Sequence, residues 1–264
     1  MAGTRMRRRS LRALLRVGAP RDYHGLLYAE ALRRYAQIAK RDRGELGSAL
    51  AVGACFREVE GLCAQPFSRI VLSGVAEPDA AVQEACSRDP RVSYELADVE
   101  ALPFPSRHFE LVFCKESLHH TARPLQGLYE MLRVCRSAVV LIEPWDSALG
   151  RALERAGLAT RFERSQALNL GARDNHVFRW SRRLLESLLR SYYLESGWSL
   201  DVTVGWMSGR AQLRAPRALR RLASLAGYAA SWLPGASGNL ATIAIAPGED
   251  LPPEPSERPV RRLT

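Results

Sequence analysis

Gly53, Glu77, Asp98 and the cluster Lys115, Glu116, His119 and His120 have types and spacing that fit chemistry at a single crevice. Gly53 ends the apolar run GSALAVG (47–53) and has no Cβ to hold a ligand away from the backbone. Glu77 follows a second apolar run, in VLSGVAEPDA (71–80). A carboxylate there either accepts hydrogen bonds from ribose hydroxyls or caps the helix that Pro78 opens. Asp98, in YELADVEALPFP (94–105), is either an acceptor for the exocyclic amine of a purine or a solvated turn residue. The run FELVFCKESLHH (109–120) ends in a cation, a carboxylate and two histidines. A histidine at such a mouth serves as a base near neutral pH or as a hydrogen-bonded brace for its loop. His120 is the candidate substrate-facing base and Glu116 the second candidate. Lys115 is a surface cation or a contact for a ligand carboxylate.

These residues need a scaffold that delivers each to the same end of a sheet. The pattern predicts a helix over 23–40, a strand over 48–52, a helix over 56–64, a strand over 69–75, a helix over 79–87 and strands over 92–96 and 109–114. A helix over 125–133 and a β-branched apolar strand over 138–143, AVVLIE, follow. Strands that alternate with helices predict parallel βαβ units and a sheet covered on both faces. In such sheets ligands bind in the crevice beyond the carboxyl ends of the strands, where the strand order reverses. Each candidate residue falls at the end of a predicted strand. The second half is less regular. It reads as a helical insertion with a polar loop (147–175), a helix (182–190), a strand (200–204), a basic helix (212–232) kinked at Pro216, and a terminal strand (240–246).

Composition narrows the function classes. The chain has 264 residues, enough for one substantial α/β domain, and its net charge is +10. Residues 1–21 hold seven arginines and no acid, so the body carries +10 − 7 = +3. A basic, flexible segment over 1–22, a domain over 23–246 with helical cover at about 145–235, and a disordered, proline-rich tail over 247–264 are expected. The five cysteines lack C-x-x-C spacing, which fits neither a disulfide framework nor a zinc site. No metal is expected, and a reducing cytoplasm fits best. The N-terminal arginines are followed by no secretory apolar region. The uncharged run 222–248 is rich in Ala, Gly and Ser and is broken by Pro234 and Gly235, so no transmembrane segment is expected. Arg210, Arg214, Arg217 and Arg221 fall three or four apart on the predicted basic helix. They form a solvated face or make weak contact with an anionic surface. No aromatic-interleaved basic motif points to nucleic acid.

The run DVEALPFPSRHFELVFCKESLHH followed by RPLQGLYEMLRVCRSAVVLIEP resembles the class I S-adenosylmethionine-dependent methyltransferases, in particular the broad type-11 group. The shared pattern is an acid, then L-P-F, F-D-x-V, L-H-H and L-x-E-x-x-R-V. Here these are Asp98, Leu102-Pro103-Phe104, Phe109-Glu110-Leu111-Val112, Leu118-His119-His120 and Leu128 to Val134. The resemblance covers about residues 47–145. It implies a Rossmann-like, doubly wound α/β sheet of about seven strands, mostly parallel with an antiparallel last strand. It also implies S-adenosyl-L-methionine as cofactor and methyl transfer to a small-molecule or biosynthetic-intermediate acceptor. By this resemblance Gly53, Ala54 and Cys55 face the methionine end of the cofactor, Glu77 and Pro78 the ribose, Asp98 and Val99 the adenine, and Lys115 borders the methyl group. The family's first motif, acid-x-Gly-x-Gly-x-Gly, falls here on Ala51, Gly53, Cys55 and Arg57. Its acid and two glycines are replaced, which leaves a second reading: the same fold used as a binding or regulatory partner. A nicotinamide enzyme is disfavoured because G-x-G-x-x-G is absent.

Overall fold

In β2 (Leu46–Val52) successive side chains leave opposite faces of the strand, as the pleat requires. Leu50 and Val52 join one buried apolar cluster, and Ala49 and Ala51 join another. The same division runs through β3 (Phe67–Gly74), β5 (Phe109–Lys115) and β6 (Cys135–Pro144), whose apolar stretches are buried on both sides. A strand apolar on both faces is stable only inside a covered sheet. The computed structural model describes residues 3–8, 31, 32, 35, 46–54, 61–157, 162–163, 175–193, 197–206, 216–230, 232 and 238–247.

The remaining elements are β1 (Gly3–Arg8), α1 (Ala80–Arg88), β4 (Val92–Leu96), α2 (Pro124–Val134), α3 (Ala148–Arg155), β7 (Phe162–Glu163), β8 (Asn175–His176), α4 (Arg182–Tyr193), β9 (Trp198–Gly205), α5 (Arg217–Ala230) and β10 (Leu240–Pro247). Short 3-10 turns span Val99–Ala101 and Leu118–His120. The main sheet has the order β1-β9-β10-β6-β5-β2-β3-β4. β10 is antiparallel to both of its neighbours, and every other pairing in this sheet is parallel. The expected doubly wound, mostly parallel sheet with an antiparallel last strand is therefore present. The order reverses at β2, which lies between β3 and β5 and so forms the switch point.

One cluster packs α2 and α4 on the sheet through Leu128, Met131, Leu132, Leu185 and Leu189. The other packs Val82 of α1, Leu62 and the helical positions Ala31 and Tyr35, with Tyr228 of α5 against its edge. Tyr129 of α2 stacks on Tyr192 of α4 at 5.6 Å between ring centroids. Burial of Tyr192 pushes its phenol up to about 12.

Several expectations need correction. The main sheet has eight strands rather than about seven, because residues 3–8 of the basic N-terminal segment form β1 and pair with β9 instead of hanging free. Arg7 also meets Asp201 of β9 at 3.4 Å. The 147–175 insertion contains only one described helix, α3, together with the short antiparallel pair β7–β8. The basic helix starts at Arg217, so Pro216 precedes it and does not kink it. Of the predicted helix 23–40 only positions 31, 32 and 35 are described, and of 56–64 only 61–64. Residues 9–22 and 248–264 lie outside the described residues.

Buried carboxylates hold the frame to its loops. On β5, Glu110 accepts from Gly47 N at 2.9 Å and from Arg136 at 2.7 Å. A Cβ on Gly47 would lie 2.1 Å from Glu110 Oε2, so only glycine lets the carboxylate reach that amide. On α2, Glu130 accepts from Leu102 N and Arg133, while Arg133 donates to the carbonyls of Leu102 and Phe104. Hydrogen bonding to Arg133 is the main cause that holds Glu130 below the usual carboxyl range, and it outweighs burial.

Gly47→Ala is expected to destabilise the chain by about 2–4 kcal/mol, because it displaces a buried carboxylate from both partners. Urea unfolding should show a lower midpoint at unchanged slope. Glu130→Gln tests the second clamp. A depressed carboxyl stabilises the fold fully above its unfolded pKa, about 4.3, and that stability is lost as pH falls through the lower folded value. The difference in thermal midpoint between the parent chain and Glu130→Gln should be largest above about pH 5 and close as pH falls below about 4.

Candidate functional site

The carboxyl ends of β2, β3, β4 and β5 open on one edge of the sheet at the switch point. After β2 the chain turns through Gly53, whose φ of 63° lies in the left-handed region. Glycine adopts that conformation freely, and a Cβ there would also lie 2.6 Å from Ser117 Cβ. Gly53 O accepts from Ser117 Oγ at 3.1 Å, and Ala54 N donates to Ser73 O at 3.0 Å. The turn is thus tied to both neighbouring strands. Ala51, at the position of the family's acid, is buried in the core. Cys55 and Arg57 lie outside the described residues.

After β3, Glu77 is exposed. It does not cap α1; Asp79 does, accepting from Val82 N at 2.8 Å. Pro78 O accepts from Gln83 Nε2 at 2.9 Å and so belongs to the same helix start. Tyr94 of β4 donates its hydroxyl to Ala76 O, which fixes the Glu77 loop. Burial raises the Tyr94 phenol, and the negative charges of Glu77 and Asp79 raise it further. Glu77 therefore stands as an exposed carboxylate on a braced loop.

After β4, Asp98 is exposed and caps the following 3-10 turn by accepting from Glu100 N at 2.9 Å. One carboxylate oxygen serves that cap. The Val99 side chain points into the core, where it would meet a Cβ on Gly127 at 3.3 Å. Glu100 is buried and accepts from Arg123 N and Arg123 Nε, each at 2.6 Å. Beside the two exposed carboxylates, Val75 and Leu96 are exposed apolar side chains. Sequence pattern did not single them out, because each looks like the last apolar residue of its strand.

After β5 the structure departs from what residue type alone suggested. Lys115 is buried and donates to Glu116 Oε2, so both groups are engaged in an ion pair. Glu116 has φ 47°, a left-handed conformation that costs a non-glycine residue about 1 kcal/mol. Its amide donates to Ile142 O at 2.8 Å, which helps hold that backbone. His119 is buried and His120 is exposed, with the rings tilted and 4.1 Å apart.

The residue that organises this corner is Glu143, at the end of β6, which sequence reading treated as part of an apolar strand. Its side chain is fully buried. Oε1 accepts from Ser117 N and Leu118 N, each at 3.0 Å, and Oε2 lies 2.6 Å from His119 Nδ1. A lone glutamate ending an apolar run, just before Pro144, was the available signal.

The region after β6 closes over this corner. Trp145 and Trp180 form a parallel bridge, with Trp180 N donating to Pro144 O at 2.9 Å and Asp146 N to Trp180 O at 2.8 Å. β8 runs against the Leu118–His120 turn. The candidate residues Gly53, Ala54, Glu77, Pro78, Asp98, Lys115, Glu116 and His120 thus lie at or just after the carboxyl ends of β2, β3, β4 and β5, with Lys115 and the Val99 side chain turned inward.

Residues 50–143 match the family model described as a methyltransferase domain. No curated protein matches the chain. Among solved structures, the YcgJ protein from Bacillus subtilis superposes with a TM-score of 0.52 at 15% identity, over 84% of this chain and 100% of that one. The CMeT domain of the citrinin polyketide synthase superposes with a TM-score of 0.51 at 15% identity, over 90% and 56% of the two chains. The CurJ carbon methyltransferase does so with a TM-score of 0.50 at 13% identity, over 91% and 59%. At such identities the structural likeness is one of fold. The matched segment and the sheet order together give this chain a Rossmann-like, methyltransferase-type fold.

Proposed function

We propose that the chain transfers the methyl group of S-adenosyl-L-methionine to a small-molecule or biosynthetic-intermediate acceptor. The observation that carries this reading is the convergence of a left-handed glycine turn and two exposed carboxylates, Glu77 and Asp98, on adjacent loops at the switch point of the sheet. The donor set fits the group. Carboxylates accept from the paired hydroxyls of a ribose and from an exocyclic amine, and Val75 and Leu96 offer an apolar rim between them. When bound, the cofactor supplies an electrophilic methyl carbon on a sulfonium.

The rest is positioning, the chief requirement of an in-line displacement. Gly53 and Ala54, with Cys55 next in the sequence, border the methionine end. Glu77 with Pro78 binds the ribose, and Asp98 with the Val99 backbone reads the purine edge. The Lys115–Glu116 pair lines the corner beside Gly53. His120, exposed at the mouth, accepts a proton from an acceptor that must lose one, and Glu116 is the second candidate. The setting is a reducing cytoplasm, in keeping with five cysteines that lack C-x-x-C spacing.

Titration calorimetry with S-adenosylmethionine is expected to give a dissociation constant below about 1 mM, within the usual range for enzyme substrates. Glu77→Ala and Asp98→Ala should each weaken binding about 10- to 100-fold, the loss of one or two charge-assisted hydrogen bonds. Unchanged affinity in both variants would place the site elsewhere. No heat and no thermal shift at millimolar cofactor would leave the binding-partner reading in its place.

Glu143→Ala should lower stability by about 2–4 kcal/mol and weaken cofactor binding, because it strands two amides and His119 in the interior. His120→Ala should leave cofactor affinity intact and slow turnover of an acceptor that must be deprotonated. Calorimetry beside single-turnover assays separates the two effects.

A further inference from the structure

Helix α5 turns the wrong face outward for a helix that meets only water. Its inward side is marked by Gly227, where a Cβ would lie 2.9 Å from Trp206 Cβ, and by Tyr228, which packs on the core. The exposed positions on the other side are Ala218, Leu219, Leu222, Leu225, Ala226 and Ala229. Leu219 and Leu222 are 56% and 62% exposed. At 100° per residue these six positions span about a third of the helix circumference, with no polar side chain among them. Of the four arginines expected on one face, Arg221 is exposed and borders the apolar stripe, and Arg210, Arg214 and the Arg217 side chain lie outside what the structure describes.

The stripe continues past the helix end. Trp232 is 61% exposed, with its ring 6.1 Å from that of Tyr228. The guanidinium carbon of Arg8, on edge strand β1, sits 4.5 Å over the Trp232 ring centroid. β1 therefore brings its exposed Arg8 to the end of the stripe, with the exposed Arg5 three residues back on the same strand. Among the described side chains, the exposed charges on α5 and β1 are Arg5, Arg8 and Arg221, while the acid beside β1, Asp201, is paired with Arg7 at 3.4 Å.

We infer that α5, Trp232 and β1 form a docking surface for an anionic lipid bilayer, with the helix lying in the interface. Leucines enter the acyl boundary, a tryptophan sits at headgroup depth, and arginines meet lipid phosphates; this is how an interfacial amphipathic helix binds. Among the described residues no helix is long and apolar enough to cross a membrane, so the contact is peripheral. Charge decides between a bilayer and a second copy of this chain. A two-fold pairing of this face on itself would set the exposed Arg8 and Arg221 near their own copies, and the nearby Asp201 is already taken by Arg7. An anionic bilayer supplies the opposite charge. The inference is independent of cofactor binding.

Trp145, Trp180 and Trp198 are buried and Trp206 is partly buried, so Trp232 is the exposed tryptophan and a built-in probe. The full chain should co-sediment with vesicles containing phosphatidylglycerol and at least tenfold less with pure phosphatidylcholine. Binding should fall as salt rises and shift tryptophan emission to the blue. Trp232→Phe should abolish that shift. The double variant Leu219→Glu, Leu222→Glu should bind at least tenfold more weakly while keeping the parent circular dichroism and cofactor affinity, since both side chains are exposed. Equal binding to both vesicle types, or undiminished binding of the double variant, overturns the inference. So does a concentration-dependent dimer that the double variant dissociates while the parent ignores vesicles, which would assign the face to a second copy.

Discussion

The carboxylate of Glu143 is the constraint on which the candidate site depends. A carboxylate with no access to water is costly unless hydrogen bonds replace its hydration. Glu143 obtains them from Ser117 N, Leu118 N and His119 Nδ1, all on the loop that leaves β5. The end of β6 thereby sets the path of its neighbour's loop. Ser117, so placed, donates to Gly53 O and occupies the space a side chain at 53 would need. The glycine turn, the αL backbone at Glu116 and the His119–His120 pair all follow from that anchor. His120 reaches solvent because His119 is held inside.

The motif that carries the family resemblance proves to be largely a set of braces. Glu130 and Arg133, the E-x-x-R of α2, clamp the Leu102-Pro103-Phe104 loop from beneath. Glu100 draws in Arg123 at the start of α2, and Glu110 spans Gly47 and Arg136. Arg91 does similar work behind β3, donating to the carbonyls of Cys63, Gln65 and Phe67 while paired with Asp89. In each case a charged side chain satisfies backbone groups that a loop leaves open, so the loops above the sheet keep one geometry. Glu77 and Asp98 differ because they keep carboxylate oxygens facing solvent, and that leaves them able to accept from a ligand.

The outer elements add a second theme. β1 extends the sheet beyond β9 and carries arginines to the flank where α5 exposes its leucines. An arginine-rich edge strand also discourages strand addition by other chains. The candidate site residues lie at the carboxyl ends of β2 to β5, whereas α5 packs by Trp206, after β9 on the other side of β6.

By itself the sequence determined the strand–helix alternation from β2 to β6 and the strand-end positions of Gly53, Glu77, Asp98 and the His119–His120 pair, and its family resemblance implied the antiparallel last strand. Two-residue periodicity and strand-end position are local properties, legible wherever the apolar runs are clean. Tertiary structure alone decided the rest. Gly3–Arg8 has no apolar pattern and became a strand only because β9 offered an open edge. Val99 and Lys115 turned inward because the core and the Glu116 carboxylate, not their own types, set their directions. α5 reads as a basic helix in one dimension and shows leucine to solvent in three, since its exposed face was fixed by where Gly227 could meet Trp206. Glu143 reads as the end of an apolar strand, and its role exists only because folding buries it beside three donors that are distant in the chain.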